Sequence, residues 1–143
     1  MAADLFKLPY NAIDLLPHRA PMILVDKLLE FDAGDGVVTA TIAADNIFVD
    51  ADGCLEAVAL IEIVAQSYAA IKGYDDRLNH RPVQRGFLVG GRSFKIKRCP
   101  LVGEQLRITI TTMADLDEFS VVDGVVNSAD EIIAEGSLKL WLP

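Results

Sequence analysis

Ala57-Val58-Ala59-Leu60-Ile61-Glu62-Ile63-Val64-Ala65-Gln66-Ser67-Tyr68-Ala69-Ala70-Ile71 is the stretch on which the fold turns. Leu55, Val58, Ala59, Glu62, Ala65, Gln66 and Ala69 share one face at i, i+3, i+4 spacing. The other faces are nearly as apolar, and a helix apolar all round is a buried one. The pattern predicts a helix from about Cys54 to Lys72, with Gly73 as its C-terminal stop. Asp52 or Gly53 is the expected N-cap; with Gly53 in that place, Glu56 falls at N3. Glu62 is the only formally charged residue in the run. A carboxylate with apolar neighbours is costly to bury without a partner. Desolvation would push its pKa up, towards the range useful for proton transfer.

The segments on either side read as β-structure. Asn11–Leu16 suits a short helix ending at Pro17, and Pro17-His18-Arg19-Ala20-Pro21 is a rigid connector. Met22–Phe31 and Gly36–Ala43 read as a hairpin about the turn cluster Asp32–Gly36. After the helix, strands are expected at about Gln84–Lys97, Gln105–Met113, Glu118–Val126 and Glu131–Leu142. Gly86, Gly90 and Gly91 suggest a bulge or a close approach of backbone or ligand. One buried helix, a hairpin before it and an antiparallel meander after it make an α+β fold, a sheet wrapped around a central helix.

The chain of 143 residues, 52% hydrophobic and 24% charged, suits a single compact domain over 1–143. A net charge of −8 argues against a general nucleic-acid binder, which needs a basic excess. The apolar run is shorter than the ~20 residues that cross a bilayer, and Glu62 interrupts it. Met1–Lys7 lacks a basic region followed by an apolar one. A cytoplasmic protein with two reduced thiols, Cys54 and Cys99, is expected. Metal-ligand spacing, a phosphate loop and a Gly-x-Ser-x-Gly elbow are all missing, so no metal or other cofactor is expected.

Three stretches resemble one family. Leu16-Pro17-His18-Arg19-Ala20-Pro21, with the apolar run to Val25-Asp26, resembles the opening motif of the 3-hydroxyacyl-ACP dehydratases of bacterial fatty-acid synthesis. Glu62-Ile63-Val64-Ala65-Gln66 resembles their central-helix motif. Gly86-Phe87-Leu88-Val89-Gly90, then Phe94-Lys95, Pro100 and Gly103-Glu104-Gln105-Leu106, resembles the strand and turn that follow. The resemblance spans essentially the whole chain in order. It implies the hotdog fold, a curled antiparallel sheet around one long helix, dimerised so that tunnels form at the interface. One departure is sharp: the family's catalytic histidine lies in a Gly-His-Phe-Pro segment before the helix, where this chain reads Ile47–Gly53 without histidine. The chain is most similar to a divergent dehydratase-like branch found with aryl-polyene biosynthesis clusters.

The implied activity is dehydration of a 3-hydroxyacyl thioester of acyl carrier protein to the trans-2-enoyl form. It needs a base for the α-proton, an acid for the departing hydroxyl and donors for the enolate oxygen. Glu62 matches the family's acid; a buried structural carboxylate is the alternative. His18 is a second catalytic candidate, or else pins the connector by a local hydrogen bond. Asp50 or Asp52 lies where the histidine is missing, and Asp52 also suits a helix cap. The amides of Cys54–Glu56 could hold an oxyanion. Asp52, Gly53, Gln66, Gly86, Phe87 and Gly90 are the expected substrate contacts. His80 reads as a solvated loop residue, and Cys54 lacks an evident base partner. Arg85, Arg92, Lys95, Lys97 and Arg98 form the densest basic cluster. It suits an acidic carrier protein or its pantetheine phosphate, or is an ordinary charged sheet edge. Two rival functions stand beside the dehydratase: a non-catalytic hotdog subunit partnering an active dehydratase, and an acyl thioesterase. A homodimer, or a heterodimer with another hotdog subunit, is expected.

Overall fold

The computed structural model describes residues 6–82 and 86–143. The elements, in chain order, are β1 (Tyr10–Asn11), a 3-10 turn (Ala12–Asp14), β2 (Lys27–Asp32), β3 (Asp35–Thr41), α1 (Ala57–Leu78), β4 (Phe87–Ile96), β5 (Gln105–Leu116), β6 (Phe119–Ser128) and β7 (Glu131–Trp141). The strands make one antiparallel sheet in the order β1-β2-β3-β5-β6-β7-β4. Along β5 and β6 burial alternates strictly over much of their length. Leu106, Ile108, Ile110, Val122 and Val126 thereby face the helix, where Leu60, Ile63, Val64 and Ile71 are fully buried. This is the α+β plan expected from the sequence.

The helix differs from expectation at both ends. It begins at Ala57, after Glu56 in an extended conformation with no side-chain cap. The residues before it are held as strand-like bridges, Val49 to Leu55 and Cys54 to Leu101. Asp52 is therefore no cap. Asp50 takes the polar role instead: its Oδ1 accepts from the amides of Asp52 at 2.9 Å and Cys54 at 3.0 Å. Gly53, at φ +81°, is the left-handed residue of that loop.

At the other end the helix runs through Gly73 to Leu78. Gly73 is no stop signal. A Cβ there would lie 2.2 Å from the carbonyl oxygen of Leu15. The missing side chain lets the segment entering the Pro17–Pro21 connector pack directly on the helix.

Strand β4 ends the sheet, paired only with β7. Its register slips between Leu88 and Gly90 and again between Arg92 and Lys95, bulges of the kind its glycines suggested. Phe87, Leu88 and Val89 are 46%, 42% and 50% exposed on this free edge. Arg85, and the start of the strand expected from Gln84, lie outside the described residues. No helix among the described residues is long and apolar enough to cross a membrane.

Candidate functional site

From Glu62, steps of three, four, seven and ten residues reach Ala65, Gln66, Ala69 and Lys72 on one face of the helix. That face is one wall of a cavity of about 150 Å³. Pro17 and His18 of the connector close one side, and Leu88, Leu140 and Leu142 of the β4–β7 end of the sheet close the other. Glu62 is therefore not sunk in the core. Its side chain keeps 31% of its exposure and faces the cavity.

Gln66 organises this region. Its Nε2 donates to Glu62 Oε1 at 3.0 Å and to the Met22 carbonyl at 2.8 Å. Its Oε1 accepts from the Leu24 amide at 2.8 Å. One buried amide thus fixes the carboxylate and ties the connector to the helix. The Arg19 guanidinium donates to the carbonyls of Ile13, Leu16 and His18, closing the connector on itself. In a Gln66→Leu variant the Leu24 N–H and Met22 C=O would lose these partners. Its stability is expected to fall by about 2 kcal/mol in a denaturant melt.

His18 is not the connector pin. Its Nε2 stands 3.8 Å from Glu62 Oε1, longer than a hydrogen bond. Its Nδ1 is buried without a partner among the described residues. The pinning is done by Arg19 and Gln66. The imidazole and carboxylate instead share the cavity, close enough for one reacting group to meet both.

Other candidates are placed elsewhere. Gly86 lines the cavity, and a Cβ on it would come 2.7 Å from Leu142 Cδ2. Asp52, Gly53, Phe87 and Gly90 are not among the lining residues. Phe87 packs against Trp141 with ring centroids 5.7 Å apart, and a Cβ at Gly90 would meet nothing within 4 Å. The amides of Cys54–Glu56 offer no oxyanion hole. Cys54 N–H goes to Asp50, Leu55 N–H to the Pro100 carbonyl and Glu56 N–H to the Phe48 carbonyl. Burial, with Asp50 and Asp52 nearby, pushes the Cys54 thiol up, away from thiolate chemistry. His80 is exposed.

The ApeP-like family pattern, described as ApeP dehydratase, matches residues 10–143. The chain belongs to the ApeP-like dehydratase family. It is similar to the 3-hydroxyacyl-acyl-carrier-protein dehydratase FabZ of Symbiobacterium thermophilum, 27% identical over 91% of this chain and 93% of the relative. Among solved structures it is similar to the dehydratase heterocomplex ApeI:P from Xenorhabdus doucetiae, with a TM-score of 0.88. Identity there is 22%, over 94% of this chain and 91% of that one. It is also similar to smu.793 from Streptococcus mutans bound to acetyl CoA, at TM-score 0.68 and 14% identity over 90% and 95% of the two chains. The fold is the hotdog fold that the sequence motifs implied.

In this ApeP-like chain the basic cluster does not survive as a unit. Arg98 is committed to Glu104, by bonds of 2.7 and 3.0 Å, and to Glu131 at 3.0 Å. It is a structural ion pair rather than a free cation for a carrier protein. Arg92, Lys95 and Lys97 are exposed and make no ion pair among the described residues. Arg98, the Leu101 amide and Ser128 hold the Glu104 carboxyl down, to about 2 from an ordinary 4.5. A depressed carboxyl stabilises the fold fully above its unfolded pKa and loses that contribution as pH falls through the folded value. Stability is therefore expected to decline between pH 4.5 and about 2. A Glu104→Gln variant melted across that window should show a shallower decline.

Sequence reasoning missed Tyr68 and Lys72 as lining residues. Tyr68 turns its hydroxyl away to Ser120 Oγ at 3.0 Å, and Ser120 donates to Asp115 at 3.0 Å. Burial pushes that phenol up, so it stays protonated. Lys72 was visible in the helical spacing from Glu62, ten residues on. The leucines opposite come from β4 and β7, which no local pattern connects to the helix.

Proposed function

We propose that this protein takes part in dehydrating 3-hydroxyacyl groups carried as thioesters on acyl carrier protein, giving trans-2-enoyl products and water, as one subunit of a hotdog pair. The observation that carries the reading is the Glu62–His18 pair, 3.8 Å apart at the mouth of a cavity with apolar walls. In the reaction the C2–H bond breaks as a base takes the proton. The C2–C3 double bond forms, and the C3 hydroxyl leaves as water when an acid protonates it. His18 Nε2 suits the base and Glu62, held by Gln66, the acid. Exposed Arg92, Lys95 and Lys97 suit the acidic surface of the carrier.

Two features favour a paired subunit. The Cys54–Glu56 amides are all engaged, so that stretch offers no donors for an enolate oxygen, and a second subunit would supply them. The open β4 edge exposes Phe87, Leu88 and Val89, an apolar row of the kind a partner strand covers. The heteromeric dehydratase from Xenorhabdus doucetiae, to which the chain is similar, supports a second hotdog subunit as that partner.

The test is the purified chain, alone and mixed with a second hotdog subunit, given 3-hydroxyacyl-ACP. Enoyl product is followed by mass spectrometry and thiol release by a thiol reagent. Enoyl product from the chain alone supports an autonomous enzyme. Product only from the mixture favours the pair, and thiol release without enoyl product would replace dehydration by thioester hydrolysis.

A further inference from the structure

The wall of the cavity is polar at its two ends and greasy between them. Glu62 and Lys72 lie ten residues apart on the helix, a rise of roughly 15 Å. Between them the helix offers Ala65 and Ala69, with Gln66 and Tyr68 beside them, whose polar groups are engaged by Glu62, Met22, Leu24 and Ser120; Leu15, Leu140 and Leu142 complete this stretch. The alanines and leucines neither donate nor accept a hydrogen bond. A hydrocarbon segment fits there; a pantetheine arm, with its amides, would leave polar groups unpaired.

Lys72 is fixed rather than waving in solvent. Its side chain is 24% exposed, and its Nζ sits 2.7 Å from Oδ1 of Asp76, whose own side chain is 1% exposed. The same oxygen also takes Arg81 Nε at 3.0 Å. Arg81 is held by Asp75 as well, so the two carboxylates balance the two cations, and what Lys72 has to offer is its remaining N–H donors. An ammonium has three N–H donors, and among the described residues Asp76 is Lys72's one hydrogen-bond partner.

We propose that Lys72 forms a recognition subsite for the far end of an acyl chain, one that terminates in an anionic oxygen such as a carboxylate. The idea rests on the cavity being the acyl site of the dehydratase described above. The thioester end of the substrate lies by Glu62 and His18, the hydrocarbon runs along Ala65 and Ala69, and the terminal oxygen accepts a charge-assisted hydrogen bond from Nζ.

Binding can be measured without turnover, by calorimetry on the full-length protein. The probes are two non-hydrolysable pantetheine thioethers with chains of matched length spanning roughly 15 Å, one ending in methyl and one in carboxylate. The carboxylate-ended probe should bind about tenfold more tightly. Lys72→Met should erase that preference and Lys72→Arg should keep it, with thermal melts confirming that both variants fold. Equal binding of the two probes to the native protein overturns the subsite and leaves the dehydratase reading standing. So does a preference that persists in Lys72→Met. Binding of unalkylated phosphopantetheine that depends on Lys72 would assign the ammonium to the carrier's phosphate and overturn it too. If neither probe binds, the acyl-site reading falls and the subsite falls with it.

Discussion

Glu62→Gln is expected to lower the dehydration rate by about 10²–10⁴-fold, the usual contribution of a positioned acid or base. The substitution keeps size and shape, and the amide oxygen can still accept from Gln66 Nε2 at the same place. It removes only the proton that Glu62 would deliver. Because the side chain lies at a cavity mouth and not in the core, the melting temperature should hardly move. Steady-state assay of the chain with a second hotdog subunit, beside a thermal melt, checks both halves. A stable variant that turns over at the native rate would strip Glu62 of its role. The chain would then be the supporting member of the pair, with all chemistry on the other subunit.

Gly73→Ala should destabilise the protein by about 3 kcal/mol, against the usual direction of that exchange. In an exposed helix interior, alanine in place of glycine gains about 1 kcal/mol. Here the added methyl would sit 2.2 Å from the Leu15 carbonyl oxygen, a backbone atom that cannot rotate away. Overpacking of this kind typically costs 1–3 kcal/mol and sometimes more. Either the helix bends or the segment leading to the Pro17–Pro21 connector lifts. The second course also carries His18 away from Glu62, so activity should fall further than the lost stability explains. Denaturant unfolding gives the first quantity, and the rate at a temperature where the variant is fully folded gives the second.

The sequence exposed what repeats locally. The helix was visible because its apolar residues recur on every face, and β5 and β6 because inward and outward residues alternate. Glu62, Gln66 and His18 could be singled out, one as a charge in a greasy run and all three through family motifs. What stayed hidden depends on distant partners. Asp52 looks like a cap until the amides it would serve, those of Cys54 and Leu55, are found bonded to Asp50 and Pro100. Gly73 looks like a stop until the backbone of Leu15 is laid against it. Arg98 looks like one of several free cations, yet one of its carboxylates is 33 residues away on the neighbouring strand. Composition and spacing carry no record of such pairings.

Leu88 belongs to two surfaces at once. It lines the cavity, and it stands 42% exposed on the open edge of the sheet where a second subunit would sit. Whatever fills the cavity and whatever covers the edge then press on the same side chain, so the two events are thermodynamically linked. Linkage is reciprocal: a partner that tightens substrate binding by some factor is itself held more tightly, by that same factor, when substrate is present. Where that factor exceeds one, a loaded carrier would act as a glue for the assembly, and product release as its solvent; where it is below one, loading would loosen the pair.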